Sequence, residues 1–269
     1  MHVSFAGRPC AVALLGCMLA VGSASAAPPT RAAAPQSPVA GDSTRVLIDG
    51  ALQRNLDADY DRALALVNRK LLASPNDAVL LHYRGFILYR KASILVSGKG
   101  DRKLAKGLLE EAGRSLERSD ATLHWPETRA LRSAVLGQLI AFSGRMGAIR
   151  LGPRASRLLD EAMAMGPDNP RVWMLRGVSA IFKPRIFGGG LGKAEHDLLH
   201  AVSLFANDSP APPAPWWGYA ETFGWLGQVY AKQGRVEEAR AAYARALELE
   251  PANAWVRDYL VPALDHGAR

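Results

Sequence analysis

The feature that most constrains how this chain can fold lies near its C-terminus. Phe223, Leu226, Gly227 and Tyr230 are spaced F-x2-L-G-x2-Y, then Ala239, Tyr243 and Ala246 follow as A-x3-Y-x2-A, and Pro251 ends the run. Apolar residues three and four apart mark one face of a helix. Gly234 falls between the two sets, where a tight turn has to separate two helices, and Pro251 cannot extend the second. The pattern predicts an antiparallel helix pair, and each helix is apolar along one side only.

These residues resemble the tetratricopeptide repeat, with Phe223 standing where that family usually has tryptophan. The resemblance implies an all-α solenoid of helical hairpins. A single hairpin cannot bury its apolar faces alone, so neighbours stack on it and leave a concave surface suited to another polypeptide. Worn copies of the unit run along the chain. Arg45–Leu56 pairs with Tyr60–Ala73, and Ala78–Val96 with Leu104–Leu116. Glu127–Ser143 pairs with a helix holding Ala155, Leu159 and Ala162, and Arg171–Phe182 with Lys193–Phe205. That gives about five pairs, with Ala254–Leu264 as a closing helix.

Gly85, Gly137 and Gly177 recur with Gly227 in the first helix of successive pairs. Glycine inside a helix costs ~1 kcal/mol against alanine, so its recurrence implies that the partner helix needs the space. The glycines are 52, 40 and 50 residues apart, whereas the usual repeat is ~34 residues. The extra residues gather in Ser97–Arg102, Asp120–Pro126, Gly144–Pro153, Lys183–Gly192 and Ala206–Pro215, which are expected to be loops.

The N-terminal end belongs to export. Arg8, the apolar run Cys10–Val21 and Ala24-Ser25-Ala26 have the layout of a secretory leader. The run is shorter than the ~20 apolar residues of a permanent span. The expected organisation is a signal peptide at 1–26, a Pro/Ala-rich disordered tether at 27–43, and a helical repeat domain at 44–269 in the periplasm or secreted, with no transmembrane segment after cleavage. Leu14-Leu15-Gly16-Cys17 offers lipid anchoring at Cys17 as an alternative. Both cysteines, Cys10 and Cys17, fall within the leader, so a cleaved chain has neither disulfides nor cysteine chemistry. The net charge of +8 comes with a large excess of arginine over lysine and reads as compositional bias. No stretch alternates basic with aromatic residues as a nucleic-acid groove would, so no nucleic-acid partner is expected.

Offsets from each glycine place a candidate groove on the first helices. The second pair contributes His82, Phe86, Tyr89 and Arg90, and the third Gln138 and Phe142. The fourth adds Met174, Val178 and Phe182, and the fifth Gln228 and Lys232. Aromatic and methionine anchors beside cations suit capture of a peptide, with Arg90 and Lys232 available for carboxylates. His196 and His200, four apart on one helix, could share a metal, but the glutamate of a zinc protease is absent between them and no third ligand is evident. Gly188-Gly189-Gly190 lacks the Gly-Lys-Ser/Thr ending of a phosphate-binding loop, and reads as a turn with Phe187 plugging a core gap. There is no Gly-x-Ser-x-Gly elbow. The Pro-rich Ser209–Pro215 leads into Trp216-Trp217, expected to cover the seam between the fourth and fifth pairs. These features predict a non-enzymatic, cofactor-free scaffold or adaptor that binds a protein or peptide in the cell envelope. An envelope enzyme or metal-dependent factor using His196 and His200, and an adaptor subunit of a transport system, are the alternatives.

Overall fold

A computed structural model describes residues 42–54, 57–98 and 100–267. The expected leader and all but the last two residues of the expected tether lie outside the described residues. The described residues form five helical hairpins in series. They are α1 (Asp42–Arg54) with α2 (Asp57–Ala73), α3 (Ala78–Ser97) with α4 (Arg102–Asp120), α5 (Pro126–Ile140) with α6 (Gly144–Met165), α7 (Pro170–Phe182) with α8 (Leu191–Phe205), and α9 (Tyr219–Lys232) with α10 (Val236–Leu249). A π-helical stretch at Trp255–Leu260 continues into α11 (Val261–Gly267) and closes the array. Among the described residues there is no strand. Each helix packs on the next in sequence, and the first helices of the third and fourth pairs also pack on each other. That side, where first helices adjoin, is the inner face.

Local chemistry starts these helices where they start. Asp77 accepts from the Leu80 amide, Asp101 from Lys103 and Leu104, and Asn169 from Arg171 and Val172, each satisfying N–H groups left without a helical partner. Pro126 and Pro170 occupy first-turn positions, where a missing N–H costs nothing.

Close approach within each pair depends on the glycine slot. A Cβ on Gly85 would lie 2.5 Å from the Leu116 side chain and 3.1 Å from the Ala112 carbonyl oxygen. On Gly177 it would lie 2.7 Å from Leu198 and 3.2 Å from the Ala194 oxygen, and on Gly227 it would enter the Tyr243 ring. Gly137 departs from the expectation. It is exposed, and nothing lies within 4 Å of where its Cβ would be. Ser133 takes the slot one turn earlier, buried, with its Oγ donating to the Ala155 carbonyl at 2.7 Å. The spacing of the slots 85, 133, 177 and 227 is therefore more even than the glycines alone suggest. In the second pair Ala112 and Leu116 face the Gly85 slot, Ser119 donates to the Ala78 carbonyl, and Ala105 and Leu109 are buried on the same helix.

The fifth pair follows its pattern. Leu226, Ala239, Tyr243 and Ala246 are buried, Phe223 and Tyr230 pack beside them, and Pro251 sits in the exposed turn after α10. Gly224 makes room for Trp255 of the closing segment. One expected loop is instead helix: Gly144–Pro153 forms the first turns of α6, since Arg145, Met146, Ala148, Arg150 and Leu151 are adequate helix formers around Gly147 and Gly152.

Gly177→Ala should lose about 1–3 kcal/mol through overpacking against Leu198. Gly137→Ala should be neutral or gain up to ~1 kcal/mol. Urea unfolding of the two variants, followed by circular dichroism, distinguishes the slot from the bystander.

Candidate functional site

The inner face is occupied by the chain itself. The connection between α8 and α9, residues 206–218, turns back across the first helices and is fastened at three points. At its start, the buried Arg171 on α7 donates through Nη2 to Asp208 Oδ2 at 2.6 Å and lies over the Phe205 ring, 5.3 Å from its centroid. In the middle, the Tyr83 hydroxyl on α3 donates to the Pro213 carbonyl at 2.7 Å. At its end, Trp217 stacks on Phe86 with centroids 4.7 Å apart and an interplanar angle of 16°. Trp216 packs on Tyr83 at 5.4 Å, donates from Nε1 to Asp49 of α1, and lies under the Arg45 guanidinium at 4.2 Å. The tryptophans therefore reach the first and second pairs, not the seam between the fourth and fifth. Trp217 is only 4% exposed.

A charged contact closes the same region. Arg90 on α3 donates to Glu221 on α9 and through Nε to the Tyr60 hydroxyl at 3.3 Å. Burial opposes the charge on Arg90, but Glu221 and Tyr60 outweigh it and raise the guanidinium above its ordinary value. Glu250, nearby, is raised by burial and by Glu221, with Asn253 and Arg90 pulling the other way. Asp49 is also raised by burial, with Trp216 and Arg45 partly compensating.

The expected groove residues divide along the array. His82, Phe86, Tyr89 and Met174 are buried, so as open groove lining they are corrected. His82 meets Thr128 Oγ1 at 2.8 Å through Nδ1 and is closed in by Tyr83 and Trp125. Tyr89 is pushed up to about 12 by burial and by Glu221. Arg90 is committed to Glu221 and is not available to a partner's carboxylate. Gln138 is half-buried and donates to Ser93 Oγ at 2.7 Å. Phe142 is capped by the Arg102 guanidinium at 4.7 Å. Val178 and Gln228 are half-buried, while Phe182 and Lys232 are exposed. Phe182 stands edge-on to Trp225 at 6.2 Å, and Trp225 in turn meets Trp255 at 4.9 Å. What stays open is thus the end of the inner face built from the C-terminal turns of α7 and α9.

The other sequence candidates are also placed. Asp197 is fully buried and takes two hydrogen bonds from Arg176, at 2.8 and 2.7 Å, with Lys193 Nζ at 3.0 Å and His196 Nδ1 at 3.1 Å. Burial raises its carboxyl, but these partners overcome it and hold the group below the usual range. The Trp173 indole lies against His200 at 4.1 Å and near His196 at 6.4 Å. Among the described residues no group of three His, Cys, Asp or Glu side chains is arranged to hold a metal. In the glycine run, Gly188 and Gly190 have φ of 81° and 117°, and a side chain on Gly189 would collide with the Lys183 carbonyl. The run is a turn, but Phe187 is 68% exposed and plugs no gap.

Sequence reasoning missed Asp49, Tyr83, Arg171 and Glu221. The available signal was the pair Trp216-Trp217 after a proline run, since a long connection carrying two large aromatics needs an apolar surface to cover.

Two outcomes test this arrangement. Trp217→Ala should cost about 3–5 kcal/mol, read by urea unfolding, because Phe86 loses its stacked partner. His82 is held neutral by burial down to about 3, against 6.5 for the unfolded imidazole. The folded state then binds fewer protons across that window, so stability falls as pH drops below 6.5, by up to about 1.4 kcal/mol per unit. The raised Asp49 and Glu250 work in the opposite sense, and the lowered Asp197 acts only at more acidic pH. His82→Gln should flatten unfolding stability between pH 6.5 and 5 while leaving the more acidic limb in place.

Residues 220–253 match the family profile described as tetratricopeptide repeat. Among solved structures, the chain is similar to a thermophilic tetratricopeptide-repeat protein of Thermus thermophilus, with a TM-score of 0.54 and 23% identity over 82% of this chain and 99% of that one. It is also similar to the HusA haemophore of Porphyromonas gingivalis, with a TM-score of 0.57 and 26% identity over 70% of this chain and 91% of that one. No curated protein sequence matches. The family pattern is intact in the fifth pair, and the same hairpin packing carried through the other four gives the described residues a tetratricopeptide-like solenoid fold.

Proposed function

We propose that this protein is a scaffold of the cell envelope that holds a proline-containing polypeptide on its inner face. The observation that carries the reading is the chain's own Ser209–Trp217. It lies on that face as a peptide ligand would, with a backbone carbonyl fixed by Tyr83 and an aromatic anchor stacked on Phe86. Solenoids of paired helices generally bind along this surface, and proline-rich segments lose little entropy when docked on aromatic side chains. The open end near Phe182, Gln228 and Lys232 is where a partner would first engage. Export rests on the leader-like residues 1–26, and a role as adaptor in a transport system is one form the same scaffold could take.

HusA is a haemophore. A cleft of ≈ 240 Å³ lined by Leu95, Val96, Gly100, Arg102 and Ala105 offers no iron ligand. The likeness is one of fold.

A synthetic peptide of residues Ser209–Trp217 should bind saturably to a Trp216→Ala/Trp217→Ala chain and not to the wild type, measured by fluorescence anisotropy with circular dichroism confirming the fold. In cells, a photo-crosslinking residue at Lys232 should give a discrete adduct that Phe182→Ala removes, and one at Leu72, on the exposed surface of α2, should not. No peptide binding to the folded double variant, or adducts indifferent to Phe182, would refute the inner face as a polypeptide site.

A further inference from the structure

We propose that the outward face of the N-terminal half of α6, together with the adjoining Arg185–Phe187 turn, docks on an anionic phospholipid surface. The helix is long beside its neighbours in sequence. It has 22 residues against 15 in α5 and 13 in α7. At about 1.5 Å per residue it outreaches α7 by about 13 Å, since only four residues join them. Between Gly144 and Arg154 no residue is fully buried, Gly147, Ala148, Leu151 and Gly152 being half-buried, and the buried residues of α6 are Ala155, Leu158, Leu159 and Ala162.

The free half is nevertheless patterned. Met146, Ile149 and Pro153 recur at helical spacing on the side opposite those anchors, and Met146 is 77% and Ile149 62% exposed. Arg145, Arg150, Arg154 and Arg157 flank this stripe, and no acidic residue occurs from Gly144 to Leu159. Arg154 meets Glu117 at 3.3 Å, while Arg145, Arg150 and Arg157 have no carboxylate partner among the described residues.

A second element adds to the same side. Lys183 Nζ donates to Ser156 Oγ at 2.9 Å, and Ser156 lies two turns below Ile149 along one flank of the helix. The turn that follows Lys183 carries Arg185, Ile186 and Phe187, with Ile186 85% exposed. Two separate stretches of sequence therefore present bulky apolar tips beside unpaired arginines.

The shape and charge favour a lipid surface over an acidic protein. The apolar side chains project from a helix and a turn, and none is recessed into a groove that would receive a partner's anchors. An apolar stripe flanked by cations is what an interfacial helix needs: the stripe enters the acyl boundary while arginines remain with the phosphates. Each cation near an anionic leaflet strengthens binding about five-fold.

Vesicle sedimentation of the full chain tests this, using phosphatidylcholine alone and phosphatidylcholine with 30% phosphatidylglycerol as probes. Expected is binding at least about ten-fold stronger to the anionic vesicles, weakening as salt rises. Met146→Ser/Ile149→Ser/Phe187→Ser should reduce it about ten-fold or more, and Arg145→Gln/Arg150→Gln by about twenty-fold. These positions are exposed, so unfolding midpoints should stay put, and residues 1–41 are common to all forms. As a check independent of binding loss, Ile149→Trp should show a blue-shifted emission, quenched by brominated lipid, on adding anionic vesicles. Equal binding by wild type and variants, or an Ile149→Trp emission that does not move, would overturn the proposal. Crosslinking from position 149 to an acidic protein, with vesicle binding unchanged by the variants, would assign the face to protein instead.

Discussion

Everything in this fold depends on how closely the two helices of a pair can approach. Gly85, Gly177 and Gly227 remove a side chain at the crossing, so that Leu116, Leu198 and Tyr243 can pass over bare backbone. The loss in helix propensity, ~1 kcal/mol for each glycine, is offset by burial of those side chains, roughly 1.5–3 kcal/mol each. Ser133 shows that the slot demands small size and not glycine as such, because its hydroxyl turns the contact into a hydrogen bond with Ala155. Once each pair is fixed at close range, successive pairs stack in a set order and the first helices come to share one face.

That face is then filled from within. A connection of thirteen residues, 206–218, could have looped into solvent. Instead Arg171, Tyr83 and Asp49 fasten it across three different pairs, and Trp217 finds Phe86. Arg90 and Glu221 tie the second and fifth pairs together from positions 131 residues apart. An ion pair that is largely desolvated contributes little net stability by itself, but breaking one partner leaves a costly unpaired charge. The contact acts chiefly as a lock on register between early and late pairs.

The fold was legible in the sequence because its signal is periodic. The helix boundaries follow from capping residues such as Asp101 and Asn169 and from Pro170, and the fifth pair from its spaced small and aromatic residues. Gly137 misled for a physical reason: a glycine on an exposed helical surface looks the same in sequence as one at a crossing, and the true slot used serine. The site was less legible. His82, Phe86 and Arg90 were placed correctly on first helices by their offsets, yet what covers Phe86 and Arg90 comes from residues more than a hundred positions away. Periodicity carries no information about where a non-repeating connection will settle. The extra length at Gly144–Pro153 was visible, but not that it would extend a helix, since two glycines and a proline weigh against one.

The two unusual features of the chain, the folded-back connection and the overlong helix, lie on different sides of the hairpin stack. Ala155, Leu159 and Ala162 fix the inward side of α6 against α5, so the Met146–Ile149–Pro153 stripe necessarily points away from it. A surface held by that stripe would leave the inner face, including Phe182 and Lys232, unobstructed. Each feature breaks the regular repeat length, and each inserts apolar bulk where a minimal solenoid has none. The first satisfies its tryptophans within the chain, whereas the second leaves Met146 and Ile149 in water, beside Ile186 and Phe187 of the Arg185–Phe187 turn. Exposed apolar side chains grouped beside unpaired cations add nothing to folding, so their arrangement is accounted for by contact with something outside the chain.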